Sequence, residues 1–283
     1  MINLRKLEEK FFKLLMVLSL CIVIGSLFAV FATVIIRGAP SLSIEMLTQV
    51  PQGGYYLGGG GGVLNAIIGS LYLSLGAIFI AFIMSLPMAL YLNQYSGKSK
   101  IPGAIRMILE VSTGIPSLIY GVFVFLIMIQ VGARASLFWG IITVAVFITP
   151  ILTRSMDEIM QTVPLKLKEA SLALGTTRFE TLVHVIIRQA LPGIITAVIL
   201  AFGRGIGDAA SVLFTAGYTD SIPTSLGDPV ATLPLAIFFQ LSTPIPEVQQ
   251  RAYASAIVLL IIVLLLSAVS RILSGRFMKY VIK

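Results

Sequence analysis

The stretch Leu14 to Ile36 reads LLMVLSLCIVIGSLFAVFATVII and carries no charge. A helix needs roughly 20 apolar residues to cross a hydrocarbon core about 30 Å thick, so this run is long enough to span a bilayer. Five further predominantly apolar runs follow: Asn65 to Leu92, Ile105 to Ile129, Leu137 to Leu152, Gly193 to Phe214 and Ala254 to Ile272. None alternates as the strands of a membrane β-barrel do. The expectation is therefore an all-α, polytopic membrane protein with six transmembrane helices.

Composition agrees. The 283 residues are 57% hydrophobic and 11% charged, whereas soluble domains carry about 25% charged residues; the mean hydropathy is +1.00. Arg5, Lys6, Lys10 and Lys13 precede the first run, but signal-peptide cores are only about 7 to 15 residues long, so a retained helix is expected. Cys21, the single cysteine, excludes a disulfide framework and reads as a small buried apolar residue rather than a reactive thiol.

Positive charge sets the orientation, because Lys and Arg are retained on the cytoplasmic side. The amino-terminal group is joined by Lys98, Lys100 and Arg106, by Arg154, Lys166, Lys168, Arg178 and Arg188, and by Arg271, Arg276, Lys279 and Lys283 in alternate loops. Only Arg37, Arg134 and Arg251 fall outside, with Arg204 inside a span. Both termini are thus expected in the cytoplasm. The formal charge of +8 follows from topology, and no nucleic-acid partner is implied, since no soluble basic module is present.

Two outer segments stand out. The run Gly58 to Gly62 reads as a flexible connector in preference to an anion-binding nest. Between Thr215 and Arg251, five prolines surround the apolar stretch Leu233 to Leu241. That stretch is too short to cross, so a re-entrant or interfacial helix packed from the outer side is expected.

The longest inner loop contains Pro164-Leu165-Lys166-Leu167-Lys168-Glu169-Ala170-Ser171-Leu172-Ala173-Leu174-Gly175-Thr176-Thr177-Arg178-Phe179. Two short helices broken at Gly175 are predicted, with Gly175 left-handed and Thr176 or Thr177 capping the second. The residues alone leave two readings open: a docking helix for a soluble partner or a solvated connector. The order Glu169-Ala170-Ser171, then Gly175, then Leu191-Pro192, resembles the loop of bacterial ABC-importer permeases. Ser171 stands where that motif has Ala, and Arg188 where it often has Pro.

The resemblance extends along the chain to phosphate permeases of the PstA type. It is carried by Leu42-Ser43 to Met46-Leu47-Thr48, Ala66-Ile67-Ile68-Gly69-Ser70-Leu71, Gly114-Ile115-Pro116-Ser117-Leu118-Ile119-Tyr120-Gly121, Ala173-Leu174-Gly175-Thr176-Thr177-Arg178 and Arg204-Gly205-Ile206-Gly207-Asp208. In the last stretch the family has Arg-Ala-x-Gly-Glu. The resemblance implies a type I ABC-importer permease fold in a bacterial or archaeal plasma membrane. Residues 1–62 would form an arm helix and outer segment, and 63–283 a core of five spans with a coupling loop at 154–190. It also implies a heterodimer with a second phosphate permease, two copies of a cytoplasmic ATP-binding subunit carrying ATP and Mg, and an extracytoplasmic phosphate-binding protein. Glu169, Ala170, Ser171, Leu174, Gly175, Thr176, Thr177 and Arg178 would receive the ATPase.

Arg204 lies about 16 Å beyond Gly193 at 1.5 Å per residue, near the membrane midplane, where an Arg costs roughly 2.5 to 3.5 kcal/mol on insertion scales. Asp208, four residues on, is expected on the same helix face as a partner. The pair reads either as a structural lock or as a gate whose guanidinium fork takes phosphate. Arg154 is a guide for the anion or a snorkelling residue, and Ser112 and Thr113 can line a polar passage. Glu110 is expected to pair with a neighbouring helix, and His184 to be solvated or at an interface, with no metal site. No phosphate-binding Gly-x-x-x-x-Gly-Lys-Ser/Thr loop occurs, so ATP hydrolysis is expected on a partner chain. Alternatives are a PstC-type sister permease, a permease for another oxyanion and, more distantly, an ion-gradient-driven carrier or channel.

Overall fold

The structure, a computed structural model, describes residues 4–54, 59–94 and 100–277. Lys98, Lys279, Lys283 and Gly58 lie outside the described residues. Among the described residues every regular element is helical. In chain order these are α1 (Leu4–Gly38), a 3-10 turn (Ala39–Ser41), α2 (Ile44–Thr48), α3 (Leu64–Gln94), α4 (Ile101–Thr113), α5 (Ser117–Gln130), α6 (Leu137–Gln161), α7 (Leu165–Ala173) and α8 (Arg178–Thr181). A π-helical stretch (Leu182–Ile187), α9 (Arg188–Ile206), α10 (Leu233–Leu241) and α11 (Pro246–Phe277) complete it. Among the described residues five helices are long and apolar enough to cross a membrane, or six when α4 and α5 are taken together as one bent span.

That sixth span departs from the straight helix expected over Ile105 to Ile129. Its halves meet at 99°, because Pro116 lacks an amide hydrogen and disfavours the helical conformation at Ile115. The fifth span is also displaced. It runs continuously over Arg178–Ile206 and stops at Gly207, whose amide bonds back to Gly205, where a run of alternate glycines weakens the helix.

The two longest inner helices, α3 and α6, form the centre. Leu73, Ala77 and Ala81 pack with Val144, Ile148 and Leu152, and α9 adds Ala190, Ile194, Ala197 and Ala201, spaced three and four apart on one face. Small residues permit the approach: a Cβ on Gly193 would lie 2.5 Å from Ile159, and one on Gly76 2.6 Å from Ile141. A second core joins Met46, Val63, Ala66, Leu233, Ala236, Ala254 and Val258. In it α10, spanning the stretch foreseen from sequence, packs on α3 and α11, and its Leu233 amide donates to Ser70 Oγ at 2.8 Å.

Two sequence readings are corrected here. Gly59 to Gly62 are not a loose connector: added Cβ atoms would lie 2.2 Å from Gly53 O, 2.4 Å from Val50 O and 2.2 Å from Met46 O at positions 59, 61 and 62. Backbone bonds Gln52 N to Gly60 O and Gly62 N to Val50 O close this hairpin-like turn, and Arg251 Nη1 donates to Gly59 O at 2.7 Å. Cys21 is exposed because, among the described residues, α1 is covered only near its outer end. There Gly38 sits against the Tyr253 backbone and the Arg37 guanidinium lies 5.5 Å from the Tyr253 ring. None of the most apolar window of α1 is buried.

Candidate functional site

The two interruptions meet. Ser117, the first residue of α5, donates its hydroxyl to Asp208 Oδ1 at 2.7 Å, just past the end of α9. From there α5 and the irregular segment after α9 run side by side: a Cβ on Gly121 would lie 2.3 Å from Ser211 O, and the Phe125 and Phe214 rings are 5.5 Å apart. Non-helical backbone at membrane depth must be enclosed by protein or line a cavity. Here Ser211, Val212, Thr215 and Ala216 are buried.

Arg204 occupies the last turn of α9 and is exposed on the surface of the chain. Its guanidinium carbon lies 5.2 Å from the centroid of Phe147, a residue near the middle of α6. The Phe147 ring contacts Tyr120 at 5.8 Å, and the Tyr120 hydroxyl donates to Ser112 O at 2.8 Å. The expected helical relation between Arg204 and Asp208 does not hold, since the helix ends between them. Asp208 instead accepts from Ser117 Oγ and, through Oδ2, from the Ser211 amide at 2.9 Å, an aspartate turn that competes with continued helix. Among the described residues Arg204 has no ion pair.

Of the other predicted passage residues, Arg154 lies toward the inner end of α6, and Ser112 and Thr113 end α4 at the break before Ser117. Arg154 stands between two carboxylates, Glu158 at 2.8 Å and Glu110 at 3.3 Å, so its charge is met by protein. The pairing of Glu110 with a neighbouring helix is present in that contact. Ser112 and Thr113 are half-buried and donate to carbonyls of their own helix, Ile108 and Glu110, both at 2.7 Å. Both hydroxyl protons are thus used within α4. Arg106, Glu110, Arg154, Asp157, Glu158 and Gln161 line a cavity of 210 Å³.

The inner loop folds into the two short helices expected. Gly175 has φ +84°, and Thr177 caps α8 in a reciprocal arrangement with Glu180. Ser171 is more than a small stand-in for Ala: its hydroxyl meets Thr176 at 2.8 Å and Thr181 at 3.0 Å, and those two meet at 3.0 Å. This hydroxyl triangle fixes the angle between α7 and α8. Leu174 projects at the tip, 85% exposed, while Glu169, Ala170, Thr177 and Arg178 are also exposed. An open groove of 430 Å³ between α7 and the start of α9 is lined by Leu167, Ala170, Leu174, His184 and Arg188, which puts His184 at a solvent-facing edge.

Sequence reasoning missed Ser117 and Phe147. Ser117 follows the only Ile-Pro break within an apolar run, and that punctuation was the available signal. Phe147 offers none, because an aromatic in an apolar span is ordinary.

Comparison with known proteins is consistent along the chain. The family profile for "Binding-protein-dependent transport system inner membrane component" matches residues 85–281. The phosphate transport system permease protein PstA of Xylella fastidiosa (strain 9a5c) is 31% identical over 245 residues, covering 86% of this chain and 84% of that protein. The probable ABC transporter permease protein YqgI of Bacillus subtilis (strain 168) is 30% identical over 294 residues, covering 97% and 98%. Among solved structures, a bacterial alginate ABC transporter in complex with an alginate pentasaccharide-bound periplasmic protein matches with TM-score 0.66 at 15% identity, covering 98% of each chain; it shares the fold.

Proposed function

We propose, from the premise that this chain belongs to the binding-protein-dependent transport system inner membrane component family, that it is the permease subunit of an ATP-driven importer of inorganic phosphate. That it is an ABC-importer permease subunit of the inner membrane follows from the family. Phosphate as the substrate is our reading, and one observation carries it: the Arg204 guanidinium lies over an aromatic ring near mid-span with no ion pair among the described residues, while the nearest carboxylate in sequence is held by Ser117 and Ser211.

A guanidinium in a low-dielectric passage is the group best suited to phosphate, because its planar fork donates two parallel hydrogen bonds to adjacent oxygens. Phe147 offers its π face to that guanidinium at 5.2 Å, a cation–π contact. Asp208, held by two neutral donors, makes no ion pair with the Arg among the described residues. The names of the related phosphate permeases support the same substrate.

In the full importer, the exposed faces of α1 and α5 would meet a second permease or lipid. The α7 to α8 elbow, with Leu174 at its tip, would seat in an ATPase subunit, which carries ATP and Mg. A phosphate-binding protein would deliver the anion at the outer side, where the Gly59 to Gly62 turn and α10 lie. Arg154 would act at the inner exit, where it would have to leave Glu110 or Glu158 to contact the anion, and Ser112 and Thr113 would act farther in along the path. The test is uptake of radiolabelled phosphate into vesicles containing the assembled importer, with and without ATP and the binding protein. Uptake needing both, and not inhibited by sulfate, supports the reading; uptake independent of ATP rejects the coupling, and preference for sulfate rejects the substrate.

A further inference from the structure

Asp157 is the most deeply buried charged residue in the described chain, 4% exposed, and its carboxylate is fully engaged. Arg106 Nε donates to Oδ2 at 2.7 Å, Arg106 Nη2 to Oδ1 at 3.2 Å, and Gln161 Nε2 to Oδ2 at 2.8 Å. The same Nη2 also donates to Leu92 O at 3.0 Å. One guanidinium thus ties α4 to α6 and to the last turn of α3. The next residue of that turn, Asn93, accepts from Lys168 Nζ of α7 at 2.8 Å. Burial pushes the Lys168 ammonium below its ordinary pKa, and the Asp157 charge pushes it back up, so Lys168 feels this cluster as well.

The outcome is a continuous polar joint from the exposed inner elbow to α4. The helix α4 in turn leads through the 99° break to Ser117, which holds Asp208 beside the Arg204 turn. The neighbouring contacts of Arg154 with Glu110 and Glu158 are exposed on the carboxylate side, and exposed pairs contribute little. A buried carboxylate that loses its partner is by contrast expensive to leave unmet, so this joint holds one geometry.

We propose that Asp157 is a positioning residue that makes α4 move as one body with the coupling helix α7, carrying motion of the inner elbow to the Ser117 to Asp208 junction. The proposal rests on the chain acting as the permease of an ATP-driven importer, and it does not depend on which anion is carried.

The test places spin labels at Met107→Cys on α4 and Leu165→Cys on α7, both exposed, in a Cys21→Ser background within the complete importer. Label-to-label distance is measured without nucleotide and in the vanadate-trapped state. With Asp157 intact, one narrow distance persists in both states. Asp157→Asn is expected to add a second distance in the trapped state, and uptake per ATP hydrolysed is expected to fall about tenfold, the scale reached by changes along a packed coupling network. If Asp157→Asn fails to assemble, Arg106→Lys decides instead, because it keeps the charge but cannot reach Asp157 and Leu92 O together. A single unchanged distance in the assembled variant overturns the proposal, as does a parallel loss of uptake and hydrolysis that leaves their ratio intact. A wild-type complex that takes up no phosphate would overturn the substrate reading alone, and the distance measurement would still decide this one.

Discussion

The Ser117 hydroxyl donates to Asp208 Oδ1 at 2.7 Å across the junction of two interrupted spans. That bond keeps the carboxylate four positions after Arg204 engaged with α5 and leaves the guanidinium without an ion pair among the described residues. A charge-assisted hydrogen bond of about 1.5 kcal/mol corresponds to roughly tenfold in an equilibrium. In Ser117→Ala, Asp208 regains freedom to approach Arg204 and compete with the anion. The apparent KM for phosphate uptake should rise by up to about tenfold, while the complex still assembles. An unchanged KM would mean that Ser211 alone holds the carboxylate.

The outer glycine turn makes a paired prediction on stability. Gly62→Ala would bring a Cβ to 2.2 Å from Met46 O, whereas Gly60→Ala meets nothing within 4 Å. Overpacking against backbone costs about 1 to 3 kcal/mol, and a substitution in open space is expected to stay within about 0.5 kcal/mol. Thermal unfolding in detergent should therefore show a clear drop for position 62 and none for position 60. Equal behaviour of the two would return the segment to a plain connector.

At the inner elbow, Gly175 sits at φ +84°. An L residue in that region costs about 1 to 2 kcal/mol, and Gly175→Ala should relieve that strain by changing the angle between α7 and α8. Affinity for the ATPase subunit is then expected to fall by about fivefold or more. Titration of the purified ATPase against detergent-solubilised permease measures it, and unaltered binding would show that the elbow is not the docking element.

The outer loop carries a pH signature. Asp228 accepts from the amides and hydroxyls of Thr224 and Ser225, which hold its carboxyl down at about 2 against an ordinary 3.8. Because the folded value is the lower one, these bonds stabilise the loop above the ordinary carboxyl range and their contribution fades as pH falls through about 2. Amide-exchange protection at Thr224 and Ser225 should be the same at neutral pH and at pH about 4. Asp228→Asn should lower protection at both, and should match wild type only near the acid limit. Wild-type protection that stayed unchanged as pH fell from about 4 to about 2 would contradict the shift.

Much of this architecture was legible because lipid leaves a simple imprint: long apolar runs, positive charge on one side, and a short apolar stretch at Leu233 to Leu241 that emerges as α10 over those residues. The inner elbow was equally readable, since Gly175 and the Thr177 to Glu180 cap are local chemistry. The centre of the site was not. Span periodicity carries no mark of where a helix stops, so Arg204 and Asp208 read as neighbours on one face when α9 ends between them. Gly59 to Gly62 misled for a related reason: a glycine run looks the same whether it is loose or packed against backbone, and only Met46, Val50 and Gly53 distinguish the two.

The most direct test of the central claim is phosphate uptake by the Arg204→Ala importer, with assembly checked by co-purification of all subunits. The account predicts a fully assembled complex with no ATP-driven phosphate uptake above background. Uptake at the wild-type rate from that complex would contradict it.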